Sequence, residues 1–175
     1  MDKALLEELY QRYGTELFRY LYAMCRDRLL AEDIMQDAFC RALISLPTSH
    51  VNARAWLYMV GRNFLINEMK KRKREISSDD IEGRNAYREK SGNDTADGDP
   101  EEEAIRKEEN SMLQEALLSL DERKREILLL NYFERFTLKE TAVIMGISYE
   151  NARILSMRAK RELRRIMEVN EYEIS

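Results

Sequence analysis

The chain has 175 residues, enough for one large domain or two small ones, with 44% apolar and 35% charged residues and a net charge of −4. That balance fits a soluble, helix-rich protein, and no apolar run approaches membrane-spanning length, so membrane insertion is not expected. The N-terminus, "MDKALLEELYQRYG", is acidic and amphipathic and lacks the basic-then-apolar pattern of a secretory signal, which points to a cytoplasmic location. Cys25 and Cys40 lie in apolar helical patterns and share no metal-ligand spacing with the single histidine, His50. Two buried, reduced thiols are expected, with no metal and no other cofactor.

In chain order, residues 3 to 24 place Leu5, Leu6, Leu9, Tyr13, Leu17, Leu21 and Met24 at helical spacing, one buried stripe. A polar stretch, "RDRLL", precedes a second helix over 31–46 with Ile34, Ala38, Phe39, Ala42 and Leu43 facing inward. Pro47 and "TSHVN" break it. A third helix over 53–72 turns Trp56, Leu57, Val60, Phe64 and Leu65 inward, and the three helices suffice to enclose a core. Residues 76–100, "ISSDDIEGRNAYREKSGNDTADGDP", lose all periodicity and read as a flexible acidic linker, short of the apolar surface that would offset ordering entropy.

Helix resumes at Pro100, a residue suited to a first helical turn, and runs to Ser119. Asp121 then reads as the N-cap of a helix carrying Ile127, Leu128 and Leu130. Thr137, followed three residues later by Glu140, forms a capping box that opens "LKETAVIM". Gly146 suits a left-handed C-cap, and Ser148 caps a long helix to Met167. Helix, glycine-containing turn and basic helix together have the layout of a helix-turn-helix reader. On the last helix Ala152, Leu155, Ala159, Leu163 and Ile166 share one side, while Glu150, Arg153, Met157, Arg161 and Arg164 lean to the other.

Charge is distributed unevenly. Residues 53–74 hold seven Lys or Arg against one acid, Glu68, a local balance of +6; residues 148–167 hold six bases against two acids, a balance of +4. Between them, residues 75–110 hold thirteen acids against five bases, a balance of −8. Polyanion binding depends on the local positive face, so the acidic total does not argue against nucleic acid.

Taken together, these segments resemble a bacterial RNA polymerase sigma factor of the small, two-domain extracytoplasmic-function group. The likeness covers nearly everything except the linker. "AEDIMQDAFCRAL" is similar to the segment by which this family grips the polymerase clamp, and "AWLYMVGRNFLINEMKKRKR" to its promoter-melting helix. "LLSLDERKREILLLNYFERFTLKETAVIMGIS" followed by "RAKREL" is similar to its domain for the −35 element. Members usually carry a Gly-Thr-Val motif and then a base after the turn, where this chain reads "ENAR", Glu150 to Arg153. Asn67 stands for a frequent aspartate and Asp121 for a frequent proline.

The resemblance implies an all-α protein of two small helical domains joined by the flexible acidic linker. Residues 1–75 would bind the clamp and recognise and melt the −10 element, 76–100 would be the linker, and 101–175 would be the helix-turn-helix domain for the −35 element. It implies a binding and strand-opening factor without an active site, whose partners are core RNA polymerase, promoter DNA (duplex at −35, melted at −10) and an anti-sigma factor. Asp33, Gln36, Asp37 and Arg41 are the polymerase-facing candidates. The loop before the basic helix offers Ser49, His50, Asn52 and Arg54 to a flipped −10 base, with His50 equally readable as a plain exposed loop residue. Arg62, Asn63 and Asn67 face base edges, and Lys70, Lys71, Arg72 and Arg74 face phosphates. Trp56 offers a stacking surface, but its register with Val60 and Phe64 favours a core anchor.

In the last helix Tyr149, Glu150, Asn151 and Arg153 sit where a first turn reaches base edges, because Asn pairs with adenine, Arg with guanine and Glu with a cytosine amine. Met157, Arg158, Lys160 and Arg161 lie further along, where bases suit phosphates. The rival reading is a helix-turn-helix regulator that binds duplex DNA without polymerase. It leaves the 56–74 helix without a role.

Overall fold

A computed structural model of the chain describes residues 3–47, 52–78 and 111–174. Among them the protein is all-helical: α1 (Lys3–Cys25), α2 (Arg28–Ser45), α3 (Ala53–Ser78), α4 (111–119), α5 (Glu122–Leu128), a π-helical turn (Leu129–Phe133), α6 (Leu138–Met145) and α7 (Tyr149–Ile174). No strand occurs among the described residues. The linker expected over 76–100 falls outside them beyond Ser78, as does the start of the helix expected at Pro100.

Local chemistry sets the helix ends. The Asp27 carboxylate accepts from the Leu30 amide at 3.1 Å and caps α2, which therefore begins at Arg28, three residues earlier than the apolar spacing indicates. Asn52 caps α3 by accepting from the Ala55 amide at 3.1 Å. Asp121 caps α5 through the Lys124 amide at 2.9 Å. Thr137 and Glu140 form the reciprocal capping box, each side chain taking the other's backbone amide at 3.1 Å. α6 stops at Gly146, whose φ of 68° lies in the left-handed region, and Ser148 caps α7 by accepting from the Asn151 amide at 3.1 Å.

α1, α2 and α3 pack on one another, α5 and α6 pack on α7, and α3 also packs against α6. One apolar cluster runs through both halves, from Leu17, Leu21, Leu57 and Leu65 to Leu130, Ile144, Ala152 and Ala159. Fully buried leucines of this kind each contribute about 1.5–3 kcal/mol of transfer free energy. Gly61 lets α3 approach α1 closely: a Cβ there would stand 3.4 Å from a Leu17 methyl and 3.6 Å from a Leu21 methyl.

Several inward assignments shift because α3 has neighbours on two sides. Its deepest residues are Leu57, Tyr58, Gly61 and Leu65, with Trp56, Val60 and Phe64 half-buried against the same core. Trp56 is thus a packing residue. Leu5 and Leu43 are largely exposed, since each sits near the end of its helix where no neighbour covers it. Cys40 is exposed as well, and Cys25 is half-buried with its thiol donating to the Asp27 carbonyl, so the expected pair of buried thiols is not present. α3 continues six residues past Arg72, because the Lys/Arg run carries strong helix formers and contains no breaker.

Replacing Gly146 with Ala should cost about 1–2 kcal/mol, measured by urea denaturation. No atom lies within 4 Å of the added methyl, so the whole loss comes from the left-handed backbone, and Gly146→Asn should recover part of it. The backbone amides that hydrogen-bond Asp27 and Asp121 hold both carboxyls below their usual pKa. Their capping contribution should be fully present above the ordinary aspartate value of about 3.9 and disappear as pH falls through the lower folded values. An acid titration followed by circular dichroism should show Asp121→Asn flattening that part of the profile.

Candidate nucleic-acid interface

α7 carries the cleaner of the two candidate surfaces. Ala152 and Ala159 are fully buried against α5 and α6, which turns the opposite face outward. Tyr149, Glu150, Asn151, Arg153, Met157, Arg158, Lys160 and Arg161 are all exposed on it. The first turn is partly ordered: Arg153 donates to the Glu150 carboxylate at 3.1 Å, and the Ser148 cap fixes Asn151. Lys160 lies 4.9 Å from the Tyr132 ring centre, so the π-helical turn braces the far end of the basic row. Asn151 and Arg158 also border an open cleft against α5, with Arg123 on its other wall.

α2 presents Asp33, Gln36, Asp37 and Arg41 together on its exposed side, beside the well-exposed Leu29 and Ile44. The buried Ile34, Ala38 and Ala42 hold that face outward.

The α3 surface is divided. Asn63, Asn67, Lys70, Lys71 and Arg74 are exposed, and the spacing of 63, 67, 70 and 74 puts them along one face. Arg72 bends back to Asp27 at 3.0 Å and to Glu68 at 3.6 Å, tying the basic run to the α1–α2 corner. Ser49 and His50 lie outside the described residues. The remaining three candidates meet carboxylates. Asn52 donates to the Glu140 carboxylate of α6 at 2.8 Å. Arg54 donates to Glu16 at 2.8 Å and to the Glu134 carbonyl at 2.7 Å, and its guanidinium lies 4.1 Å from the Phe136 ring centre. The same guanidinium reaches the Glu134 carboxylate at 3.5 Å. Arg62 forms a two-pronged pair with Glu126 of α5.

Both Glu126 and Glu134 are built into the second half. Glu126 is only 3% exposed, in the buried run Glu126–Leu130 that passes from the end of α5 into the π-helical turn. It accepts from the Tyr20 hydroxyl at 3.3 Å as well as from Arg62. Glu134 follows the π-helical turn, where its amide reaches back to the Leu129 carbonyl at 2.9 Å. Arg135 next to it takes a left-handed φ of 59°, and Asn131 ties the turn off by donating to the Phe136 carbonyl at 2.9 Å. This reversal aims both the Glu134 carbonyl and its carboxylate at α3, and the carboxylate accepts from the Tyr58 hydroxyl at 2.6 Å.

The aromatic rings continue the joint. Tyr20 and Tyr58 stand 5.1 Å apart between centroids, and Tyr58 meets Phe136 edge-on at 4.8 Å. Burial first, and then the adjacent Glu126 and Glu134, push the two tyrosine hydroxyls far above their ordinary pKa, so both stay protonated donors. Burial also raises the Glu134 carboxyl, opposed by the Tyr58 hydrogen bond. Burial opposes the charge of Arg54, and the Glu16 hydrogen bond leads the contacts that more than restore it.

Glu16, Glu126, Glu134, Tyr20 and Tyr58 were not among the residues singled out from the sequence. Only Glu126 carries a local sign, an acid set directly before the apolar run Ile127–Leu130. The others are specified by partners 38 or more residues away.

No helix among the described residues is long and apolar enough to cross a membrane. Residues 9–75 match the family described as sigma-70 region 2, and residues 110–163 match sigma-70 region 4. The chain is 32% identical over 164 residues to the ECF RNA polymerase sigma factor SigM of Bacillus subtilis, covering 91% of this chain and 93% of SigM. It is 26% identical to SigW of the same organism, over 94% of this chain and 89% of SigW. Its fold resembles that of the sigma factor RpoE from Bartonella quintana, solved with the anti-sigma factor NepR, with a TM-score of 0.71, 23% identity and coverage of 96% and 99%. It also resembles CnrH, solved with the cytosolic domain of CnrY, with a TM-score of 0.64, 18% identity and coverage of 96% and 90%. Two sigma-70 regions in family order, the helix-turn-helix geometry of α6 and α7, and near full-length similarity to SigM place this chain among the ECF RNA polymerase sigma factors, which direct promoter-specific transcription.

Proposed function

We propose that this cytoplasmic, non-catalytic factor divides promoter recognition between two faces, residues 1–75 acting at −10 and on the polymerase clamp, residues 101–175 acting at −35, with 76–100 as the tether. The observation that carries this reading is the pair of separate basic faces, the outward side of α7 and the exposed row of α3. Tyr149, Glu150, Asn151 and Arg153 read base edges of duplex −35 DNA from the first turn of α7. Met157 packs against the groove wall, and Arg158, Lys160 and Arg161 hold phosphates.

At −10, Asn63 and Asn67 supply amide groups to exposed bases, and Lys70, Lys71, Arg72 and Arg74 neutralise the strand. Ser49, His50, Asn52 and Arg54 contact a flipped base, and Arg62 contributes a further base contact. Asp33, Gln36, Asp37 and Arg41 dock on core polymerase. An anti-sigma factor completes the set of partners; the structures of similar fold include RpoE bound to one.

Initiation from purified core polymerase is the direct test. The parent chain should direct specific initiation, whereas a regulator that only binds duplex DNA would give none. Footprinting should then separate the faces. Asn151→Ala with Arg153→Ala should weaken upstream protection by roughly 1–3 kcal/mol per lost base contact. Replacing Lys70, Lys71, Arg72 and Arg74 with Ala should impair downstream binding and opening. It should also reduce the slope of log affinity against log salt by about 0.7 per lost phosphate contact on single-stranded DNA. If the two sets of variants gave the same footprint defect, the two-face reading would be wrong.

A further inference from the structure

The first turn of α7 carries an ion pair whose geometry is one-sided. Arg153 donates from Nε at 3.4 Å and from Nη2 at 3.1 Å to a single oxygen of Glu150, Oε2. That contact uses only the side edge of the guanidinium. The end edge, Nη1 with the second Nη2 hydrogen, meets no acceptor among the described residues, and Glu150 Oε1 meets no donor among them. We infer that Glu150 and Arg153 read one G·C pair of duplex DNA as a unit: Arg153 donates end-on to guanine O6 and N7, and Glu150 accepts from the amine of the paired cytosine. This inference rests on the −35 assignment of α7 made above and adds which base pair the two residues select.

Chemical complementarity carries the inference furthest. In the major groove a G·C pair sets two acceptors, guanine N7 and O6, beside one donor, the cytosine amine. The Glu150–Arg153 unit offers the matching set, two donors beside one acceptor. An A·T pair in the same place would set the adenine amine against the guanidinium and thymine O4 against the carboxylate. Both contacts then oppose like groups, so the unit rejects the wrong pair as well as binding the right one.

Placement agrees with the chemistry. Ala152 and Ala159 are fully buried, and helical spacing puts 150, 153 and 157 on the opposite side, pointing away from the domain. Ser148 accepts from the Asn151 amide at 3.1 Å and so fixes the turn on which the pair stands. The side chains of Arg153 and Glu150 are 54% and 66% exposed, open enough for a base pair to meet both. Asn151 and Arg158 lie to one flank, on the wall of the cleft of about 720 Å³ against α5, with Arg123 across from them. Bases on both walls suit a phosphate strand running beside the row that reads bases. Helix support does not account for the pair, since an exposed ion pair three residues apart adds little stability. A lone carboxylate on a face that meets phosphates would weaken binding; Arg153 cancels its charge and leaves Oε1 available for selection.

The test uses holoenzyme reconstituted from core polymerase and the full chain, which selects binders from a randomised duplex DNA pool. The parent should fix a G·C pair at one position under the upstream footprint. Two duplex probes then differ only there, G·C against A·T, and the parent should prefer the first by roughly 5–150-fold, the range that a bidentate base contact supplies. Glu150→Gln, whose amide can donate to thymine O4, should cut that ratio, and Arg153→Ala should abolish it. Arg158→Ala should instead weaken both probes alike, as loss of a phosphate contact does. Circular dichroism establishes that each variant is folded. An equal ratio in the parent and Glu150→Gln overturns the inference, as does a parent that fixes no G·C pair under the footprint. The −35 assignment is judged separately by Asn151→Ala with Arg153→Ala. Upstream protection lost in that variant, beside an unchanged Glu150→Gln ratio, removes the paired reading alone; upstream protection left intact removes both.

Discussion

Two partly buried arginine–carboxylate pairs govern how this molecule is put together. Arg62 with Glu126 and Arg54 with Glu134 join α3 to the second half, beside the aromatic row Tyr20, Tyr58 and Phe136 and next to an apolar cluster that runs through both halves. Buried ion pairs add little net stability, because desolvation nearly cancels the attraction; their strength lies in the penalty for leaving one partner alone. They hold a particular arrangement in register.

α3 carries three obligations at once. Its inner side packs on α1 through Gly61, Leu57 and Leu65; its flank receives Phe136, Glu134 and Glu126; its outer side and end expose Asn63, Asn67 and the basic run. A helix with that many neighbours cannot show a simple two-sided apolar pattern. Tyr58 illustrates the result, fully buried though its position lies beside the stripe that periodicity marks. Its hydroxyl is satisfied by Glu134, which is why a tyrosine can stand there at no polar penalty.

Local chemistry was therefore legible in the sequence and long-range partnership was not. The capping residues Asp121, Thr137 with Glu140, Gly146 and Ser148 announce helix ends because each acts on backbone within three or four residues. The outward row of α7 followed from the same logic, since Ala152 and Ala159 fix which face turns away. The pairing of Arg62 with an acid 64 residues further on leaves no periodic trace, and neither does Tyr20 with the same acid 106 residues on. The nearest sign was Glu126 itself, a charge beside an apolar run, which demands a buried partner without naming it. Helix α2 began early for a reason of the first kind that the apolar count overlooked, the Asp27 cap.

The two ion pairs between α3 and the second half hold the halves in one arrangement. Pulsed electron–electron double resonance between spin labels at Thr15→Cys on α1 and Glu168→Cys on α7, with Cys25 and Cys40 replaced by Ser, measures it directly. One narrow distance is expected in the parent chain and a broader, longer distribution in the double variant Glu126→Gln with Glu134→Gln. The same narrow distance in both proteins would contradict the account that these two ion pairs set how the halves are joined.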